Sequence, residues 1–373
     1  MAAERERVIV AMSGGVDSGV AAARLVDQGY DVVGVTLHLW DYPDSPDEKG
    51  GHGRCCAPED QYDARRTADA LGFPHYTFDR RELFRQRVVD PFVEAYLEGE
   101  TPSPCTACNR TVKLGELEGI ARRLGATRIA TGHYARAGRS AQGHARILEA
   151  KDARKDQSYF LYATPHSLVE KMLFPLGESH KPEVRAEAVA RDLPGATKGE
   201  SQELCFVGQG DHAYVGLVEE RADKARIRPG PIVDADGRVV GRHEGVHRYT
   251  VGQRRGLGVA VGKPAFVSRI DPSTGTVTLG DAGDLLAREV VLEDVHLAEG
   301  ATLPSRARVR IRYRHEGAFG HVLPLGPPGE RRARVVLDEP VRAAVRGQIA
   351  VFYEGDAVLG GGRIVRVGAE VAP

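Results

Sequence analysis

Three groups of residues carry side chains able to do chemistry. The first is Ser13-Gly14-Gly15-Val16-Asp17-Ser18, set between a short apolar run and a helical stretch. Paired glycines let backbone N–H groups close on an anion. The helix start beyond them adds unsatisfied N–H groups and the positive end of a dipole. Ser13 and Ser18 contribute hydroxyl donors. Asp17 is anomalous, because a carboxylate beside phosphate is repulsive unless a cation lies between them, and Mg²⁺ is the cation expected there. The segment lacks the Gly-Lys-[Ser/Thr] of a Walker loop and the G-x-G-x-x-G of a dinucleotide loop. A tight strand-to-helix turn without a ligand is the plain alternative.

The second group is thiols. Thr101-Pro-Ser-Pro-Cys105-Thr-Ala-Cys108 places a C-x-x-C after a proline-broken helix end and before the helix holding Lys113. A thiol near a helix start, with Arg110 and Lys113 close by, is expected to be partly thiolate. Cys205 lies in the short apolar segment Glu203–Gly208. Other readings stay open: a C-x-x-C is equally half of a zinc site, and Cys205 alone is compatible with a packed core position. Cys55 and Cys56, with His52, could complete a metal site with Cys105 and Cys108. Five cysteines, an odd and sparse set, make a poor disulfide framework.

The third group is Arg306, Arg308, Arg310, Arg312 and Arg314, at strict period two. In one strand this spacing puts five guanidiniums on one face, a stripe suited to tracking phosphates. A solvated barrel face is the alternative. Gln253-Arg254-Arg255-Gly256 is a second expected contact loop.

The elements that must position these groups are of two kinds. In the first third, strands at Val8–Met12, Val32–Leu39, His75–Phe78 and Arg128–Thr131 alternate with helices at Gly19–Gln28, Glu59–Leu71 and Glu116–Leu124. Asp90-Pro91 reads as the cap and first residue of a further helix, ended by Pro102 and Pro104. Such alternation predicts an α/β domain with a parallel sheet covered on both faces. Beyond about residue 210, hairpin signals at Asp236-Gly237, Ser273-Thr274-Gly275 and Glu354-Gly355-Asp356 predict small β-domains, with 325–334 as an exposed loop. The expected division is 1–212, 213–285 and 286–373. The 373 residues carry a net charge of -1, so an RNA surface must be a local patch. No signal-like or membrane-length apolar run occurs, and a soluble cytoplasmic protein is expected.

The phosphate loop resembles the PP-loop of N-type ATP pyrophosphatases, which adenylate an oxygen. Over nearly its whole length the chain resembles the bacterial tRNA-specific 2-thiouridylases. The shared runs include AMSGGVDS (Ala11–Ser18), TPSPCTACNR (Thr101–Arg110), ATGHYAR (Ala130–Arg136), KDQSYFLY (Lys155–Tyr162), KPEVR (Lys181–Arg185), ELCFVG, YTVGQRRGLG (Tyr249–Gly258) and GQIAVFYEGDAVLGGG (Gly347–Gly362). The resemblance implies a Rossmann-like PP-loop domain of the adenine nucleotide alpha-hydrolase type, a small β-rich central domain and a C-terminal β-barrel. It implies that ATP binds Ala11, Met12, Ser13, Gly14, Gly15, Val16, Asp17 and Ser18, with Leu37 and Gly132 lining the adenosine pocket. Cys205 would carry a persulfide, and Cys108 would discharge it through a transient disulfide. Ser103, Pro104 and Cys105 would meet the target base, while His133, Lys155, Asp156, Gln157, Arg312, Tyr313 and Gln348 would contact tRNA. The wobble uridines of Lys, Glu and Gln acceptors are the implied targets, with a sulfur-relay protein or cysteine desulfurase as donor.

Cys105 departs from members that carry Asp at this position. The thiol either substitutes as a weaker acid or joins Cys108 and Cys205 as a ligand of a [4Fe–4S] cluster, as in related thiolases. The leading reading is an ATP-dependent enzyme that adenylates uridine O2 and delivers sulfur to C2. A PP-loop ligase for a small metabolite and an RNA-binding module with a dead nucleotide loop are the alternatives.

Overall fold

Val8, Ile9 and Val10 are all fully buried, the mark of a strand covered on both faces. In the computed structural model, which describes residues 5–41, 58–199, 204–208, 210, 212–259 and 264–368, they form β1 (Arg7–Ala11). β2 (Asp31–His38), β3 (His75–Asp79) and β4 (Arg128–Thr131) follow, then a hairpin of β5 (Arg136–Arg139) and β6 (Ala145–Leu148), and the short β7 (Met172–Leu173). The sheet order is β3-β2-β1-β4-β7, with every pairing parallel. Val8, Val10 and Val32 pack beneath α1 (Val16–Asp27) and α2 (Pro58–Leu71). Ile9, Val33, Val35 and Ile129 pack on the other face with Leu117 and Ile120 of α6 (Leu114–Arg123).

The helix expected from Asp90 begins earlier. α3 (Arg81–Phe84) passes through a π-turn (Arg85–Val89) into α4 (Asp90–Leu97), and Asp90 donates its N–H to Arg85 O. Asp90 is therefore inside a continuous helix rather than its cap. The wider π-turn lets the rod run through Pro91, which has no N–H to give. The C-x-x-C segment is built alike. α5 (Pro104–Cys108), with proline at its first position, runs through a second π-turn (Asn109–Lys113) into α6.

α7 (His166–Val169), α8 (Lys181–Ala190) and α9 (Ala213–Arg221) lead to the β-rich part. β8 (Gly230–Val233), β9 (Val239–His243), β10 (Phe266–Asp271) and β11 (Thr276–Gly280) make one four-stranded sheet over Ile232, Val267 and Val277. The turns at Asp236-Gly237 and Ser273-Thr274-Gly275 lie where the sequence places them. β12 (Leu286–Leu297), β13 (Ser305–Arg310), β14 (Ala318–Pro324), β15 (Arg332–Arg342), β16 (Ile349–Glu354) and β17 (Ala357–Gly368) form a six-stranded barrel closed by β12 against β17. The expected parallel-sheet domain followed by β-domains and a terminal barrel is what forms. The β5–β6 hairpin, from the first part of the chain, adds to the barrel through Leu148 opposite Ala357. Among the described residues no helix is long and apolar enough to cross a membrane.

Candidate active site

All strand ends that carry candidate residues point the same way, because the sheet is parallel. The segment Met12–Gly15 leaves β1 at its carboxyl end and enters α1, whose start at Gly15 has no side-chain cap among the described residues. That leaves its first N–H groups available to an anion. The turn is held from within: Ser13 donates its N–H to Ser18 Oγ at 3.2 Å, and Ser18 Oγ donates to Gly15 O at 3.1 Å. Gly14 has φ +74°, and a Cβ there would lie 1.9 Å from Asp60 O in the first turn of α2. Only glycine permits both that backbone and that approach. Leu37 is buried near the end of β2, and Gly132, just past β4, lies against the Asp17–Ser18 backbone.

Asp17 is held by two side chains. Lys181 Nζ donates to both carboxylate oxygens at 2.7 Å, and Tyr134 OH donates to Oδ1 at 2.9 Å. In this structure the cation beside the carboxylate is an ammonium, 8% exposed, on the first residue of α8. In the sequence Lys181 belongs to the KPEVR run and has no role of its own. Nothing in its local spacing reports a partner 164 positions away.

Lys198 is a second residue that sequence reasoning misses. Its ammonium pairs with Asp60 at 2.8 Å and Asp63 at 2.5 Å, and the Gly195–Lys198 turn runs close over Gly14 O. The same stretch of chain leads to Cys205. Phe206 anchors that end, meeting Trp40, Phe84 and Phe92 edge-on with ring centroids 5.0–6.1 Å apart. Cys205 is partly buried and packs on the apolar cluster that contains Cys108.

Cys105, the second residue of α5, is exposed, whereas Cys108, one turn on, is 5% exposed. Arg110 does not serve these thiols as expected, since its guanidinium is turned to Asp294 and His296 of β12. Among the described residues no three His, Cys, Asp or Glu side chains gather as a metal site. Cys55, Cys56 and His52 lie outside the described residues.

The expected RNA contacts divide. Cys105 is exposed, and Ser103, Lys155, Arg312 and Tyr313 are half-buried. Tyr313 packs against Phe160 with ring centroids 4.4 Å apart and the planes tilted by 33°. Burial first, then the nearby Asp156 and the Cys105 thiol, push its phenol up. Pro104 is buried. His133 bonds Thr131 Oγ1 through Nδ1 at 2.9 Å. Although its edge reaches solvent, desolvation by the packed surroundings and the Lys113 charge push its pKa down to about 3, so the ring is neutral. Asp156 is an interior group, 3% exposed, accepting from Ala150 N, Ser158 N and Arg310 Nη1. Gln157 Oε1 accepts from Tyr134 N at 2.9 Å. Gln348 faces Thr101.

The arginine stripe is corrected as well. β13 ends at Arg310, so Arg312 and Arg314 lie beyond the strand. Arg308 pairs with Glu149 at 2.6 Å, and Arg310, 7% exposed, pairs with Asp156 at 2.7 Å. Period two holds for the strand itself. Arg308 and Arg310 meet acids from the first domain, whereas Arg306 is exposed and pairs with Asp338 of β15 at 2.6 Å. Arg254 and Arg255 are exposed in their loop.

Three family models match the chain: a tRNA methyl transferase HUP domain over residues 6–209, a tRNA methyl transferase PRC-barrel domain over 219–281 and an aminomethyltransferase β-barrel domain over 287–364. The tRNA-specific 2-thiouridylase MnmA of Sorangium cellulosum is 59% identical over 96% of this chain and 92% of its own length. That of Moorella thermoacetica is 48% identical over 96% and 99%. A 4-thiouridine synthetase solved with RNA and ATP covers 58% of this chain and 50% of its own, at 14% identity and a TM-score of 0.33, too remote to bear on function.

Proposed function

The chain belongs to the tRNA-specific 2-thiouridylase family, and from that premise we propose that it replaces O2 of a tRNA uridine with sulfur at the expense of ATP. The supporting observations are an uncapped helix start at the carboxyl end of β1, fit to cradle an anion, and two thiols, Cys108 and Cys205, that pack in the same apolar cluster.

Uridine O2 attacks the α-phosphorus of ATP and pyrophosphate leaves, which turns a poor leaving group into AMP. The α1 N–H groups and the Lys181 ammonium stabilise the charge that gathers on the phosphates. The terminal sulfur of a Cys205 persulfide attacks C2 and expels AMP. The Cys108 thiolate then attacks Cys205 Sγ, the S–S bond to the base-bound sulfur breaks, and a Cys108–Cys205 disulfide remains. Two electrons from an external dithiol, itself oxidised to a disulfide, restore both cysteines.

Mg²⁺ fits this site only as an ion carried by the nucleotide. Asp17, once exchanged from Lys181, is the protein ligand it would find, and its chemistry there is neutralisation of phosphate charge. Cys105, Cys108 and Cys205 would be the ligands of a [4Fe–4S] cluster; among the described residues no three such side chains gather as a metal-ion site, and no step runs through a cluster. The tRNAs proposed as substrates are Lys, Glu and Gln acceptors, at the wobble uridine. A sulfur-relay protein or cysteine desulfurase is the proposed source of the persulfide.

The test is thiolation of tRNA transcripts with ATP and a persulfide donor, read as 2-thiouridine by mass spectrometry. A parallel arm supplies S-adenosylmethionine, because the family model's description names methyl transfer. Methylated uridine without 2-thiouridine would sink the proposal.

A further inference from the structure

The Thr101–Pro104 segment that delivers the thiols is poorly able to hold itself. Pro102 and Pro104 have no N–H, so half its donors are missing and its carbonyls need partners from elsewhere. The barrel supplies them. Gln348, at the entrance to β16, donates its side-chain amide to Thr101 O at 2.8 Å and reaches Pro102 O at 3.5 Å. Thr101 N donates in turn to Arg346 O at 2.9 Å. Glu100, its side chain 11% exposed, sits between Arg346 and Arg363 at 3.1 and 2.9 Å. Gly347 has φ +89°, and a Cβ there would lie 3.0–3.1 Å from Glu100 Cβ and the Thr101 backbone.

We propose that Gln348 is a positioning residue, whose amide holds the Thr101–Pro104 turn and thereby sets where the Cys105 and Cys108 thiols stand. The proposal rests on the thiolation reading and gives Gln348 a role different from the RNA contact that the family resemblance implies. Both acceptors are carbonyl oxygens, so the side chain must present its NH₂ group to them. Pro102 O and Cys105 are only three residues apart, and α5 starts between them. A shift of the turn is carried directly into the first turn of that helix. Arg110, bonded to Asp294 and His296, ties the far side of the same helix to the barrel. The barrel thus holds the thiol-bearing rod at two points.

The two roles separate kinetically. An RNA contact acts on tRNA affinity. A positioning residue acts on the rate once tRNA is bound, because misplacing a reacting group by about 1 Å costs on the order of a hundredfold.

The test uses the full chain with tRNA transcript and ATP. Gln348→Glu replaces a donor with an acceptor of the same shape, and Gln348→Met keeps the volume without charge. Both variants should cut the single-turnover thiolation rate at saturating tRNA by about tenfold or more, with the tRNA Kd within about twofold. Alkylation of buried Cys108, measured without tRNA or ATP by peptide mass spectrometry, should be several-fold faster in both. A merely destabilised but correctly placed turn would lower Tm without moving the saturating rate, and that pattern overturns the proposal. So does a raised tRNA Kd at an unchanged saturating rate, which makes Gln348 an RNA contact. Wild-type protein that forms no 2-thiouridine would refute the thiolation reading itself, while the Cys108 alkylation arm still decides whether Gln348 sets the turn.

Discussion

Replacing Lys181 by methionine strands the Asp17 carboxylate at the mouth of the phosphate loop. The ammonium now bonds both Asp17 oxygens at 2.7 Å, so its loss removes two charge-assisted hydrogen bonds at once. A phosphate bound about 5 Å from the bare carboxylate would be repelled by about 3 kcal/mol at an effective dielectric near 20. The Asp17 side chain is 35% exposed, so solvent screening reduces that figure. A discount to about 1.5–2 kcal/mol corresponds to roughly ten- to thirtyfold weaker ATP binding. The assay is calorimetric titration with a non-hydrolysable ATP analogue. Asp17→Asn in the same chain should recover most of the missing affinity, because it removes the repelling charge, giving a coupling energy of the same size. Unchanged affinity in Lys181→Met, or a double variant no better than the single, would refute the electrostatic reasoning.

Arg310→Met strands buried Asp156 and should cost about 3 kcal/mol, the low end for a broken buried pair because the Ala150 and Ser158 donors remain. Urea unfolding should show it, with the salt dependence of tRNA binding unchanged; a reduced salt slope at normal stability would return Arg310 to the RNA surface. Arg254→Ala with Arg255→Ala should lower that slope by up to about two, one for each phosphate no longer neutralised, and an unchanged slope would leave the loop a solvated one. His133, held near about 3 against an ordinary 6.5, binds no proton where the unfolded chain does, so it lowers stability as pH falls from about 6.5 toward 3 and costs nothing above. His133→Gln should flatten the acid limb of the stability–pH curve; an unchanged limb would contradict the desolvation argument. Cys108→Ser should accumulate a trappable persulfide on Cys205, and Cys205→Ser should load none; if neither variant loads sulfur, the division of roles fails.

The elements are legible wherever local pattern decides structure. The apolar run of β1, the glycines of the phosphate loop and the hairpin at Asp236-Gly237 are all local signals, and all lie where expected. Asp90-Pro91 misleads because a π-turn, which no residue type announces, carries the helix through a proline. The arginines of β13 mislead differently. Their period fixes that they share a face, but Glu149 and Asp156, 159 and 154 residues earlier, turn its Arg308–Arg310 end into an internal seam. Lys181 and Lys198 are invisible for the same reason, since their carboxylate partners are 164 and 138 positions away. The docking of β5–β6 on the barrel, through the Leu148–Ala357 pair and Glu149 N donating to Asp356 O, leaves no trace in the strand pattern.

The central claim is most directly tested by one stoichiometry. Protein loaded with isotopically labelled persulfide at Cys205 is mixed with ATP and excess tRNA for a single turnover. AMP, 2-thiouridine and the disulfide state of Cys108 and Cys205 are then counted by mass spectrometry. The account predicts one labelled 2-thiouridine and one Cys108–Cys205 disulfide for each AMP released. AMP release with the label still on Cys205, or 2-thiouridine formed without AMP, would contradict it.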